Sequence, residues 1–80
     1  MNPSEIEELL TAYPEIVYAK VTGDGKHYEL TLVSDVFVAL PKVKRQLWVY
    51  EILNKLIISG HMHAVQMHTW TKDEWEKKVG

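Results

Sequence analysis

Three of the four histidines lie within His61-Met62-His63-Ala64-Val65-Gln66-Met67-His68, and such crowding points first to metal ligation. Neutral imidazole binds zinc, iron and copper. His61 and His63 are two apart and share a face of an extended segment, but two ligands without a third do not close a zinc site. His63 stands at the lip of the segment just after Gly60, where a ring nitrogen can project past the protein edge toward a metal held by a partner. The competing reading is a solvated surface histidine. His68 falls in the opposite strand phase, with Gln66 and Trp70, and reads as surface structure.

The second group is basic. Lys42-x-Lys44-Arg45 is the one basic cluster, and Lys44, Trp48, Glu51 and Lys55 follow one another at four, three and four residues. That spacing sets Trp48 between two lysines on the polar face of a helix. An exposed tryptophan among cations suits partner docking, and the cations suit phosphate contact; against this stands a solvated face with lysine stems lying over the ring. No constellation points to an enzyme. Ser4, Ser34 and Ser59 sit at a cap, a strand end and a helix end, and Gly23-x-Gly25 is a hairpin turn rather than a phosphate loop.

The elements that must position these residues follow from periodicity. Ser4, with Glu7 in the capping-box position, opens a short helix whose apolar face is Ile6, Leu9 and Leu10, and Tyr13-Pro14 stops it. Ile16 to Val21 and Tyr28 to Val33 alternate around Thr22-Gly23-Asp24-Gly25-Lys26, a hairpin whose two glycines supply positive φ. Val17, Ala19 and Val21 share one face; Tyr28, Leu30 and Leu32 share another. Ser34 to Leu40 is a loop, and Pro41 suits the first turn of a helix over Lys42 to Ser59. There Val43, Leu47, Tyr50, Leu53 and Ile57 form the core-facing stripe, and Gly60 ends the helix. Val65 and Met67 mark the inner face of a third strand, and Thr71 with Glu74 caps a last helix holding Trp75. The order predicts an α+β fold, α-β-β-α-β-α, with helices packed on one face of a three-stranded sheet.

Composition excludes more than it assigns. Eighty residues make a single domain over 1–80, and a net charge of −2 exerts no general pull on nucleic acid. With no cysteine there is no disulfide, thiolate metal site or thiol nucleophile. Neither a signal peptide nor a membrane span is evident, which predicts a cytoplasmic protein.

Two stretches carry a resemblance. Phe37-Val38-Ala39-Leu40-Pro41-Lys42-Val43-Lys44-Arg45-Gln46-Leu47-Trp48-Val49-Tyr50 resembles the BolA pattern phenylalanine-x-glycine, valine-x-arginine and valine-tyrosine. Met62-His63-Ala64 through Glu74-Trp75 resembles the tail of that family, and Gly23-Asp24-Gly25-Lys26-His27 is similar to its YrbA-type branch. The resemblance implies a fold related to class II KH domains, partnership with a monothiol glutaredoxin and a shared 2Fe-2S cluster. It also implies a regulatory role on DNA. His63 matches the histidine that family members offer to the cluster. His27 is then the second-ligand candidate if the first and third strands are neighbours, with Asp24 its rival in the same loop. The glutaredoxin and glutathione would supply the thiolates this chain lacks, so the isolated chain binds no cluster and is a monomer or weak homodimer.

Two departures limit the carry-over. Ala39 replaces the family glycine, and Gln46 and Leu47 replace the histidine and second arginine of the arginine-histidine-arginine signature, leaving Arg45. Two classes emerge: a non-enzymatic module pairing with a glutaredoxin through His63, for iron-sulfur assembly, trafficking or sensing, and a small nucleic-acid-binding regulator using Lys42, Lys44, Arg45, Trp48 and Lys55. The glycine-x-x-glycine clamp of KH modules is missing, which weighs against the second.

Overall fold

A computed structural model describes residues 2–80. Its elements are α1 (Pro3–Thr11), β1 (Ile16–Gly23), β2 (His27–Ser34), a single 3₁₀ turn (Asp35–Phe37), α2 (Lys42–Ile58), β3 (Ala64–Trp70) and α3 (Lys72–Val79). The α+β class and the α-β-β-α-β-α order are those expected. β2 is central, antiparallel to β1 through the hairpin and parallel to β3 through the α2 crossover, as the lengths of the two connections require. Among the described residues no helix is long and apolar enough to cross a membrane.

The core lies between the sheet and the first two helices. Ile6 and Leu10 of α1 and Val49 and Leu53 of α2 close on Val21, Tyr28, Leu30 and Leu32, with Phe37 and Met62 filling the ends. α3 lies over the opposite face, so the helices are not all packed on one side as the sequence suggested. Tyr18, Val33 and Trp70 are aligned across the three strands on that side, and Trp75 stacks on Tyr18 at 5.3 Å and lies 6.4 Å from Trp70.

Local chemistry corrects several sequence readings. Asn2 and Glu5, not Ser4 and Glu7, form the first capping box, because Pro3 has no N–H and fits the first helical position. Glu7 instead accepts weakly from the Val21 N–H at 3.4 Å, on the edge of β1. A register shift between Ile16 and Tyr18 buries Ile16 and turns Val17 outward, since one extra residue in a strand reverses its faces. Only Gly25 of the hairpin glycines has positive φ. Gly23 is required by space, because a Cβ there would lie 2.5 Å from Cδ1 of Tyr28 and 2.6 Å from the His27 carbonyl oxygen.

The largest correction concerns α2. Its buried residues are Arg45, Val49 and Leu53, with Trp48, Ile52, Leu56 and Ile57 partly buried against the core. Of the expected stripe, Val43 and Leu47 are 68% and 56% exposed and Tyr50 also faces outward. Residues 45, 48, 49, 52, 53 and 56 follow a regular core spacing, but an arginine at their head disguises it. Pro41 is the N-cap rather than a first-turn residue.

Arg45 is buried with its hydrogen bonds met. Its Nε donates to the Leu40 carbonyl at 2.8 Å and Nη1 to the Thr69 carbonyl at 3.2 Å. Nη1 and Nη2 donate to the two carboxylate oxygens of Glu74 at 2.8 and 3.3 Å. Glu74 is drawn from its ordinary 4.5 to about 2, first by the Arg45 guanidinium and then by the Thr71 N–H. A carboxyl whose folded pKa is depressed contributes stability above its ordinary pKa and loses it as pH falls toward the folded value. Because the Glu74 side chain is 43% exposed, solvent screening holds the contribution to about 0.5–1 kcal/mol. Glu74→Gln is expected to lower the neutral-pH melting temperature by about 2–8 °C; in a thermal melt series the gap from wild type should close between pH 4.5 and 2.

Candidate functional site

The end of α2 determines where the histidines go. Gly60 adopts φ +82°, the His61 N–H bonds the Leu56 carbonyl at 2.9 Å, and the Gly60 N–H bonds the Ile57 carbonyl at 3.2 Å. This is a Schellman end, which reverses the chain. Met62 then plugs the core and His63 emerges exposed beside the hairpin. There the Lys26 carbonyl accepts from the His63 N–H at 2.9 Å and the Ala64 N–H at 3.3 Å, and the parallel register begins with His27 opposite Ala64. His27 and His63 are thus brought to one end of the sheet. The neighbour of β3 is β2, which carries His27, and not the first strand, but the proximity expected from the sequence results all the same.

Asp24 organises the turn. Its Oδ1 accepts the backbone N–H groups of Lys26 and His27 at 3.0 and 2.9 Å, and its Oδ2 lies 3.3 Å from His27 Nδ1. The His27 N–H, then the Lys26 N–H and the His27 ring, pull the Asp24 carboxyl from 3.8 to about 2. An ionised acceptor at Nδ1 favours a proton there, leaving the Nε2 lone pair free to ligate. Asp24 is therefore placed to orient His27, with both of its oxygens already engaged. His27 also lines a shallow cavity of ≈ 340 Å³ with Gly23, Ala64 and Gln66.

The remaining histidines are used differently. The His61 Nδ1 lies 2.6 Å from Ser59 Oγ at the end of α2, and His68 is exposed opposite Thr31. Among the described residues no group of three or more histidine, aspartate or glutamate side chains is arranged to hold a metal ion. A metal at the His27–His63 end would need donors from another molecule.

The basic surface is smaller than expected. Lys42, Lys44 and Lys55 are exposed, but Arg45 is consumed inside the protein and is no contact group. Trp48 is likewise no exposed anchor. It packs edge-on against Phe37 at 5.8 Å and Tyr13 at 6.5 Å, because the core face of α2 is rotated from the one the apolar pattern suggested.

The fold has counterparts. Residues 6–74 match the BolA-like protein family. The chain belongs to that family. The acid stress protein IbaG of Escherichia coli K12 is 31% identical over 77 residues, spanning 96% of this chain and 92% of IbaG. The DNA-binding transcriptional regulator BolA of Vibrio cholerae is 34% identical over 58 residues, 69% of this chain and 51% of that protein. The BolA domain of SufE1 from Arabidopsis thaliana superimposes with a TM-score of 0.79 at 27% identity, covering 90% of this chain and 93% of that domain. In this BolA-like chain the family-matching Arg45 proves to be a core residue. In the sequence its partner Glu74 reads only as the cap of the last helix, and nothing local pairs it with Arg45. Gly23 was missed as a packing residue because nothing local announces the ring of Tyr28.

The position of Trp48 has a direct consequence. Trp48→Ala should destabilise the isolated domain by about 2–4 kcal/mol, a loss typical of a large core-lining aromatic, rather than the half a kilocalorie of a surface change. Chemical denaturation of the two proteins measures the difference.

Proposed function

We propose that this BolA-like domain is a non-enzymatic interaction module that pairs with a monothiol glutaredoxin and shares a 2Fe-2S cluster with it and glutathione. In this reading His63 is the first ligand and His27 the second, with Asp24 orienting His27 instead of competing with it. The observation that carries the proposal is the double hydrogen bond at the Lys26 carbonyl, which brings His63 beside His27 on an exposed end of the sheet. Two imidazoles from a chain without cysteine can supply only part of the ligand set of two irons, so the thiolates come from the partner. Histidine in place of thiolate raises the reduction potential of such a cluster, which suits delivery or sensing of iron and redox state. The occurrence of a BolA domain within SufE1 supports a role exercised through other proteins.

A second reading, a small DNA-binding regulator, draws on the Vibrio relative's name. Lys42, Lys44 and Lys55 are available for phosphates, but the burial of Arg45 and the net charge of −2 weaken this reading.

The deciding experiment is anaerobic reconstitution of iron and sulfide with a monothiol glutaredoxin and glutathione, followed by visible circular dichroism. Wild type is expected to give a heterodimer spectrum that His63→Ala loses and Asp24→Asn keeps in weakened form. An unchanged spectrum in His63→Ala would remove the ligand assignment. Salt-sensitive DNA binding retained by that variant, with no heterodimer spectrum from wild type, would favour the regulator.

A further inference from the structure

The outward face of α2 has no role in the domain's own core and is nonetheless apolar. Val43, Leu47, Tyr50 and Ile58 are 68%, 56%, 36% and 76% exposed, at spacings of four, three and eight residues. With Asn54 between the last two, they form one stripe along about 22 Å of helix. Single exposed apolar residues are ordinary, but a row of them along one helix marks a binding surface. Leu47, Tyr50, Glu51 and Asn54 also line a shallow depression of ≈ 420 Å³ on this face.

The charges beside the stripe specify an occupant. Lys44 and Glu51 are seven residues apart, two turns along the same flank of the helix. If two α2 helices pack antiparallel about a two-fold axis beside Leu47, Leu47 meets its own copy and Val43 meets Tyr50 of the second copy. In the same register Lys44 lies opposite Glu51 of the second copy, and the symmetry makes this ion pair twice. A parallel, in-register arrangement places this flank of the second copy on the other side of the seam, so neither Lys44 nor Glu51 finds a partner there. Asn54 falls at the margin of the antiparallel contact, where a polar side chain stays wet.

We infer that the Val43–Leu47–Tyr50 face of α2 is a self-association surface on which a second copy of this chain docks antiparallel, in register with reciprocal Lys44–Glu51 pairs. One helix stripe is a small interface, so the association is weak, with half-dimerisation at about 0.1–1 mM. The contact uses the first half of α2, whereas His63 follows its far end, so the dimer leaves the histidine site uncovered. The inference stands whether or not that site holds a cluster.

Sedimentation velocity of the full chain across a concentration series tests it. Wild type should shift from monomer to dimer within that range. Leu47→Glu, which sets two carboxylates face to face at the axis, should stay monomeric with an unchanged circular dichroism spectrum and melting temperature. Lys44→Glu should weaken the dimer about 3- to 10-fold by opposing it to Glu51, and Lys44→Glu combined with Glu51→Lys should restore it. Wild type that remains monomeric throughout overturns the proposal and leaves the stripe to a helix of another protein. A dimer that Leu47→Glu does not disturb, or a double variant no better than Lys44→Glu alone, overturns it equally.

Discussion

A guanidinium buried at the head of α2 has to be hydrogen-bonded on every side, and much of the fold is arranged to do this. Arg45 faces the interior at 7% exposure, where an unpaired charge would cost several kilocalories per mole. Its partners come from three places: the Leu40 carbonyl before α2, the Thr69 carbonyl near the end of β3, and the Glu74 carboxylate in the first turn of α3. The ring of Phe37 lies 5.9 Å from the charge. One side chain thereby holds together the crossover helix, the last strand and the last helix. Glu74 can do this because its own backbone is held by the Thr71 cap, so the capping box and the ion pair share one carboxylate.

The histidine end depends on that same alignment. β3 pairs with β2 in parallel only because α2 carries the chain back across the sheet, and the Schellman turn at Gly60 sets the point of return. Met62 is buried and His63 is not, an in-and-out choice made within one residue. Asp24 does the corresponding work in the hairpin, gathering two backbone N–H groups and one imidazole nitrogen on a single carboxylate. Hydrogen-bonded backbone on both sides sets the two exposed imidazoles at one end of the sheet.

α2 has apolar side chains on two faces, and this explains both what its sequence conceals and what its surface offers. The inner face is headed by a cation and the outer face by Val43. Leu47, standing where the family signature has a second arginine, makes the outer face more apolar still. A helix with its core face fully occupied has no internal use for that stripe.

Read alone, the sequence determined the element order, the hairpin, the capping box at Thr71 and the exposed histidines after Gly60, because these rest on local rules of periodicity, turn chemistry and capping that act within a few residues. It also carried the BolA resemblance that the family match bears out. Only the tertiary structure decided which of two apolar stripes on α2 faces inward, because that choice depends on Glu74, which lies 29 residues beyond Arg45. The phase of Ile16 and Val17 was decided by a bulge opposite β2, and the need for a glycine at 23 by the ring of Tyr28 across the turn. Such long-range pairings and close approaches leave no periodic trace in the chain, so residues that looked like surface contacts, Arg45 and Trp48, are core residues, and residues that looked like core are exposed.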